Sequence, residues 1–110
     1  MPYSVGVRVA RTSRYARRVA KLLPRDEQLA MELHIAQNPE AHPVIPGAGG
    51  IRKARWGRPG QGKRAGVRTI YYFASALGTL YLLDIYAKNQ QSDLTPDDKK
   101  ELKRIAKGLR

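Results

Sequence analysis

No cysteine occurs in the 110 residues, which excludes disulfides, thiolate nucleophiles and cysteine-ligated zinc together. Acidic side chains are scarce, nine Asp and Glu against 21 Lys and Arg. Aromatic residues other than tyrosine nearly vanish, with one Trp and one Phe beside six Tyr. No apolar run approaches the roughly 18 residues of a membrane span, and Met1-Pro2-Tyr3-Ser4 does not open a signal-peptide core. What is present is a net charge of +12 on a chain that is 42% hydrophobic, a composition that supports a folded core rather than a disordered tail. The expectation is one compact domain over 1–110, cytoplasmic, without membrane contact and with a polyanionic partner.

The charge is segregated. Residues 1–25 hold seven basic side chains and no acid, residues 26–46 four acids and no base, and residues 47–68 again seven bases and no acid. The last block is the densest, and a compact basic block is the electrostatic footprint of a nucleic-acid site. The plainer alternative is a solvated loop kept apart from its neighbours by charge.

Element signals run along the whole chain. Val5, Val7 and Val9 alternate with Gly6, Arg8 and Ala10 as in a short strand. Thr12 or Ser13 can cap a helix with Tyr15, Val19 and Leu22 on one face. Pro24 suits the first position of a second helix, with Asp26 and Glu27 in its positive first turn and Leu29, Leu33 and Ala36 as its apolar stripe. Three strands follow at Ile51–Trp56, Val67–Ala74 and Leu80–Ala87, the last two joined by a hairpin at Ala76–Thr79. Thr95-Pro96-Asp97-Asp98 then starts a helix whose buried face is Leu102, Ile105, Ala106 and Leu109. The pattern predicts an α+β fold: a small antiparallel sheet of about four strands, two N-terminal helices and one C-terminal helix.

Strand alternation sorts the side chains into two faces. With Ala54 and Trp56 inward, Lys53 and Arg55 lie opposite. On the next strand Arg68, Ile70 and Tyr72 share a face. On the last, Tyr81, Leu83, Ile85 and Ala87 form the apolar side and leave Asp84, Tyr86 and Lys88 opposite. One sheet face thus collects Lys53, Arg55, Arg68, Tyr72, Tyr86 and Lys88, cations for phosphates and rings for bases. Each tyrosine alone reads as ordinary strand packing; the set reads as a single-stranded RNA surface.

Two other candidates fail. The stretch Gly57–Arg64 nearly spells a phosphate-binding P-loop, but Arg64 stands where Ser or Thr must hold magnesium, and a strand follows instead of a helix. It reads as a basic loop whose Lys63 and Arg64 touch phosphate. His34 and His42 have no spacing for a metal site or an acid–base pair and read as packing or surface residues.

Three linked motifs carry a resemblance: Val44 to Trp56 (VIPGAGGIRKARW), Gly62 to Tyr72 (GKRAGVRTIYY) and Tyr81 to Asn89 (YLLDIYAKN), with Asp93-Leu94-Thr95 after them. In order and spacing they resemble the HigB branch of the RelE/ParE toxin superfamily, closely over about 39–110 and only in element pattern before that. The resemblance implies a RelE-like, microbial-ribonuclease-like fold. It also implies a type II toxin that cleaves mRNA on the ribosome, the substrate's own 2′-OH attacking the adjacent phosphate without a metal or other cofactor. The expected partners are the ribosome, mRNA and a cognate antitoxin, usually a helix-turn-helix DNA-binding protein.

Matched by motif, the catalytic residues would be Lys53, Arg55, Arg68 and Lys88, with Arg52, Arg58, Lys63, Arg64, Tyr72 and Tyr86 as RNA contacts. Nothing after Tyr86 is aromatic, so the C-terminal tyrosine of the best-known members has no counterpart. Ala65-Gly66 stands where this branch commonly has Gly-Gly. An arginine is no base near neutral pH, which casts Arg55 and Arg68 as electrostatic stabilisers. Lys53 or Lys88, each among other cations, is the candidate to exchange a proton. A non-catalytic RNA- or ribosome-binding module and a gyrase-inhibiting toxin of the same superfamily are the alternatives.

Overall fold

The computed structural model describes residues 6–58, 62–90 and 94–109, with the backbone alone for 58 and 62–65. The chain runs β1 (Arg8–Arg11), α1 (Ser13–Leu22), α2 (Arg25–Gln37), β2 (Arg52–Arg58), β3 (Gly62–Ala74), β4 (Thr79–Ala87) and α3 (Pro96–Leu109). The α+β expectation holds, with three helices around a four-stranded sheet of order β1-β4-β3-β2. Among the described residues no helix is long and apolar enough to cross a membrane.

The strands β2, β3 and β4 are antiparallel, but β1 pairs parallel to β4, so the sheet is mixed and not purely antiparallel. Thr12 explains the edge. Its amide donates to the Leu82 carbonyl at 3.1 Å, its hydroxyl donates to the Leu83 carbonyl at 2.9 Å, and that same hydroxyl accepts from the Tyr15 amide at 3.1 Å. One residue therefore ends the edge strand, caps α1 and anchors it on β4. At the other end of β4, the hairpin forms as expected through a 3-10 turn over Ser75–Leu77 and Gly78 at φ +59°, a left-handed conformation that suits glycine.

Both sheet faces are covered. Tyr15, Val19, Leu23, Met31 and Ile35 pack against Ala54, Val67, Tyr71, Leu80, Leu82 and Ile85, making the core between the sheet and the α1/α2 layer. On the opposite face Ile45, Ala48, Ile51, Ile70, Leu83 and Tyr86 pack against Leu102 and Ala106 of α3. The alternation read for β2 and β3 is the one observed. The β4 alternation is not, because the register slips between Ile70 and Tyr71, which pair with Asp84 and Leu82. Leu83 is the extra residue of a bulge, and such a bulge swaps the faces beyond it. Ile85 consequently joins Leu80 and Leu82 against α1 and α2, while Leu83 faces α3 with Tyr86.

The apolar stripe expected on α2 also differs. Leu29 and Leu33 are 50% and 58% exposed, whereas Gln28, Met31, Glu32 and Ile35 are buried. The polar pair is buried because it has partners. Gln28 donates to the Leu23 carbonyl at 2.9 Å. Glu32 accepts from the Tyr15 hydroxyl at 2.7 Å and from Arg11 of β1 at 2.5 Å. These bonds join β1, α1 and α2 below the surface and offset the cost of taking a carboxylate out of water. The neighbouring anion and burial together push the Tyr15 phenol well above its ordinary pKa, burial being the larger cause.

Candidate functional site

The site runs from the β2 edge of the sheet inward across β3 to β4. Arg55 of β2 lies directly opposite Arg68 of β3, which lies directly opposite Tyr86 of β4, so the three form one cross-strand row. Directly opposed side chains in a sheet stand about 5 Å apart at Cβ. Arg55 is exposed, Arg68 is 5% exposed and Tyr86 is 3% exposed. The Arg68 guanidinium donates to the Val67 carbonyl at 3.2 Å. Burial, and secondarily the Arg55 charge, hold its pKa below the ordinary arginine value, while Tyr86 acts in the opposite sense. Two guanidiniums side by side, one of them out of water, are poor for stability and well suited to an anion.

Beside this row opens a groove of about 770 Å³, lined by His42, Pro43, Val44, Ile45, Pro46, Lys53, Arg55 and Lys99. Two elements supply its cations. Lys53 and Arg55 come from alternate positions of β2 and so point to one side. Lys99 comes from the start of α3. That start is fixed by a reciprocal capping box, in which the Thr95 amide donates to Asp98 at 2.9 Å and the Asp98 amide donates to the Thr95 hydroxyl at 3.1 Å. These bonds hold the Asp98 carboxyl below its usual pKa.

The opposite wall is the segment before β2. Ile45 donates its amide to Ile51 at 2.8 Å, Lys53 donates its amide to Pro43 at 3.1 Å, and Val44 bridges to Arg52. The turn between them passes through Gly47, Gly49 and Gly50, all at positive φ. A Cβ on Gly49 would also meet the α3 backbone at Lys103 Cα, 3.3 Å away. The Pro-Gly-Ala-Gly-Gly run is thus what lets this wall fold back between the sheet and α3.

The expected residues divide. Lys53 and Arg55 line the groove, and Arg68 lies next to them in the strand row without lining it. Lys88 follows Tyr86 by two positions at the end of β4 and is half-buried, its amide donating to the Gly66 carbonyl at 3.0 Å. Arg52 does not join the group. It sits on the other side of β2, its guanidinium donating to the carbonyls of Glu40 and His42 at 3.1 and 2.7 Å, where it fastens the groove wall.

The two tyrosines are on the expected face but are not open platforms for bases. Tyr86 is in the α3 core, and Tyr72 packs against that core beneath the glycine turn, 3.5 Å from where a Cβ of Gly50 would stand. The side chains of Arg58, Lys63 and Arg64 lie outside the described residues, as do residues 59–61 of the P-loop-like stretch. His34 and His42 meet edge to face at 5.6 Å between ring centres, and their rings also contact Trp56 and Tyr71 respectively. Sequence reading missed Lys99 and the His42–Pro46 wall. No local pattern marks them; only the fold-back of α3 over the sheet brings Lys99 to β2.

The structure defines a small α+β protein with helices on both sheet faces and a cationic groove at the β2 edge of its sheet. The family model for the RelE toxin of the RelE/RelB toxin–antitoxin system matches residues 7–110. The chain therefore belongs to the RelE toxin family and is the toxin component of a type II toxin–antitoxin system, with an antitoxin as its partner.

Proposed function

We propose that this toxin is a ribosome-dependent mRNA endonuclease of the HigB-like branch, acting in the cytoplasm and held inactive by its antitoxin. The observation that carries the reading is the Arg55–Arg68 pair beside a groove lined by Lys53 and Lys99. In the reaction the 2′-OH of the substrate attacks the adjacent phosphorus, the bond to the 5′-oxygen of the next nucleotide breaks, and a cyclic phosphate forms. Negative charge develops on the non-bridging oxygens and the leaving oxygen. Cations fixed beforehand stabilise that charge without reorganising, and removal of one such donor typically costs about 10²–10³ in rate. Arg55 is the exposed donor and Arg68 the buried charge beside it on β3, which strengthens the field at the phosphate because water screens it less. Lys53 and Lys88 are the candidates for moving protons.

The test is induction of the toxin with and without its antitoxin, followed by mapping of mRNA ends on ribosomes. Wild type arrests growth and cuts mRNA, and Arg55→Ala and Arg68→Ala lose cleavage by about the factor above while keeping the helical circular dichroism spectrum. Full toxicity of either variant overturns the assignment. Salt-sensitive RNA binding with no cleavage and no growth arrest identifies a non-catalytic RNA-binding module instead.

A further inference from the structure

We infer that the outer edge of β1 docks an extended segment of the antitoxin, which adds to the four-stranded sheet as one more strand. That segment places an acidic residue beside Arg8 and an apolar one beside Val9. The inference rests on the antitoxin partnership and not on the ribonuclease chemistry.

β1 closes one end of the sheet, and among the described residues no strand pairs with its outer side. Its inner side is fixed, the Arg8 amide donating to Gly78 at 2.8 Å and the Thr12 amide to Leu82 at 3.1 Å. Successive residues of a strand turn their amide and carbonyl to opposite sides. Arg8, Ala10 and Thr12 therefore bond to β4, while Val9 and Arg11 hold their backbone groups out from the edge. The other end of the sheet is protected. There the segment 43–45 bonds to β2 and the residue before it, and the register shift after Trp56 breaks the line beyond. Cover and irregularity are the devices that stop an edge from pairing. β1 has no such cover, and it runs in unbroken register with β4.

The chemistry of the edge selects its occupant. Val9 pairs with Leu80 and Arg11 with Leu82, two residues of the α1/α2 core, so Val9 and Arg11 project to that face and Arg8 to the other. Val9 is 39% exposed, and Arg8 is exposed as well. Glu32 engages Arg11, and Asp84 engages Arg14 and Arg18, so Arg8 is the charge that a newcomer at this edge meets. A second copy of this chain would bring two arginine-bearing edges together, which like charges oppose. RNA fits no better, because the outward carbonyls of Val9 and Arg11 alternate with the amides and repel phosphate oxygens. A peptide strand satisfies amides and carbonyls together, and an acidic one complements Arg8.

The test follows amide hydrogen exchange of the full-length toxin by NMR, alone and in complex with its antitoxin. On binding, the Val9 and Arg11 amides gain protection, whereas the Ala10 amide, bonded to β4 in both states, changes little. Val9→Pro removes one outward donor, and an edge strand tolerates proline where the missing N–H faces solvent. It weakens antitoxin binding by up to about tenfold, the loss of one hydrogen bond, and leaves the circular dichroism of the free toxin unchanged. Arg8→Glu weakens binding most at low salt, where the new repulsion is least screened. Lys107→Gln, on the exposed side of α3, has no effect. Unchanged exchange at Val9 and Arg11 in the complex, or wild-type affinity in either variant, overturns the inference. If Val9→Pro loses its helical spectrum, the wild-type exchange pattern and Arg8→Glu decide. Protection of the same two amides by a single-stranded RNA and not by the antitoxin also overturns it. A toxin that binds no antitoxin at all overturns the partnership itself, an outcome distinct from binding elsewhere on the chain.

Discussion

Arg68 spends its charge in an unfavourable place. It is 5% exposed, directly opposite Arg55, with its pKa lowered first by burial and then by that neighbour. Like charges facing each other across a strand pair destabilise a sheet by roughly 0.2–1 kcal/mol. Nothing in the packing of β2 requires a cation at position 55, which is solvent-exposed. The pair is therefore a cost to the fold retained for the anion it attracts. Arg55→Gln should raise thermal stability while lowering activity. At about 0.2–1 kcal/mol the midpoint should rise by up to several degrees. Added inorganic phosphate should raise the wild-type midpoint more than that of the variant, because an anion binding the folded state relieves the same repulsion. Calorimetry with and without phosphate checks both, and a lower midpoint for Arg55→Gln refutes the argument.

At the scale of elements, legibility depended on whether a local rule ran uninterrupted. The alternation of β2 and β3 does so from Lys53 to Arg55 and from Arg68 to Tyr72, and the face carrying Lys53, Arg55 and Arg68 was readable before any coordinates. In β4 the bulge at Leu83 breaks the rule, and it depends on pairing with β3 rather than on β4's own residues. The stripe of α2 failed for a different reason. Leucines are expected inside, yet Glu32 is buried because Arg11 and Tyr15, 21 and 17 residues away, happen to meet it. A bonded carboxylate can outcompete an apolar side chain for a buried position, and sequence spacing along one helix does not show the bond. Lys99 belongs with these, since only tertiary folding takes it to the groove.

The β2–β3 pair has its own critical position. The register shifts between Trp56 and Arg58, and Gly66 lies against that irregularity. A Cβ on Gly66 would stand 2.0 Å from the Trp56 carbonyl oxygen and 2.9 Å from Gly57 Cα, both backbone atoms that have no rotamer to escape by. Gly66→Ala should thus force the strands apart at the end that carries Arg55 and Arg68. The expected cost is above the usual 0.5–3 kcal/mol of a point substitution, read as a lower denaturant midpoint, with protection of the β3 amides lost first in hydrogen exchange. Gly57→Ala, measured in parallel, tells whether the strain is specific to the side that faces the carbonyl.

For the molecule as a whole, two buried phenols tie the α1/α2 layer, one within it and one to the sheet, in addition to its apolar core. Tyr71 of β3 donates to the Pro39 carbonyl at 2.7 Å, just beyond α2. Tyr15 of α1 donates to Glu32 of α2. Both must stay protonated to donate. Burial is the main cause that pushes Tyr71 up to about 12, with Glu40 adding to the rise and Arg52 opposing it, and Tyr15 is raised further in the same direction. In the unfolded chain both titrate near 10. The sign follows from linkage: below about pH 10 both states keep the protons and stability does not depend on them. Above it the unfolded state releases protons that the folded state still holds, so stability falls as pH rises. The fall attributable to Tyr71 spans the interval from about 10 to about 12. Tyr71→Phe loses one hydrogen bond, about 1 kcal/mol at neutral pH, but removes that part of the slope. Its stability curve should lie below wild type at pH 8, cross it between about pH 10 and 12 and lie above it by about pH 12, since a rise from about 10 to about 12 outweighs one hydrogen bond. Urea unfolding followed at a series of pH values gives the difference directly, and two parallel curves across that interval would show that the phenol does not hold the layer as described.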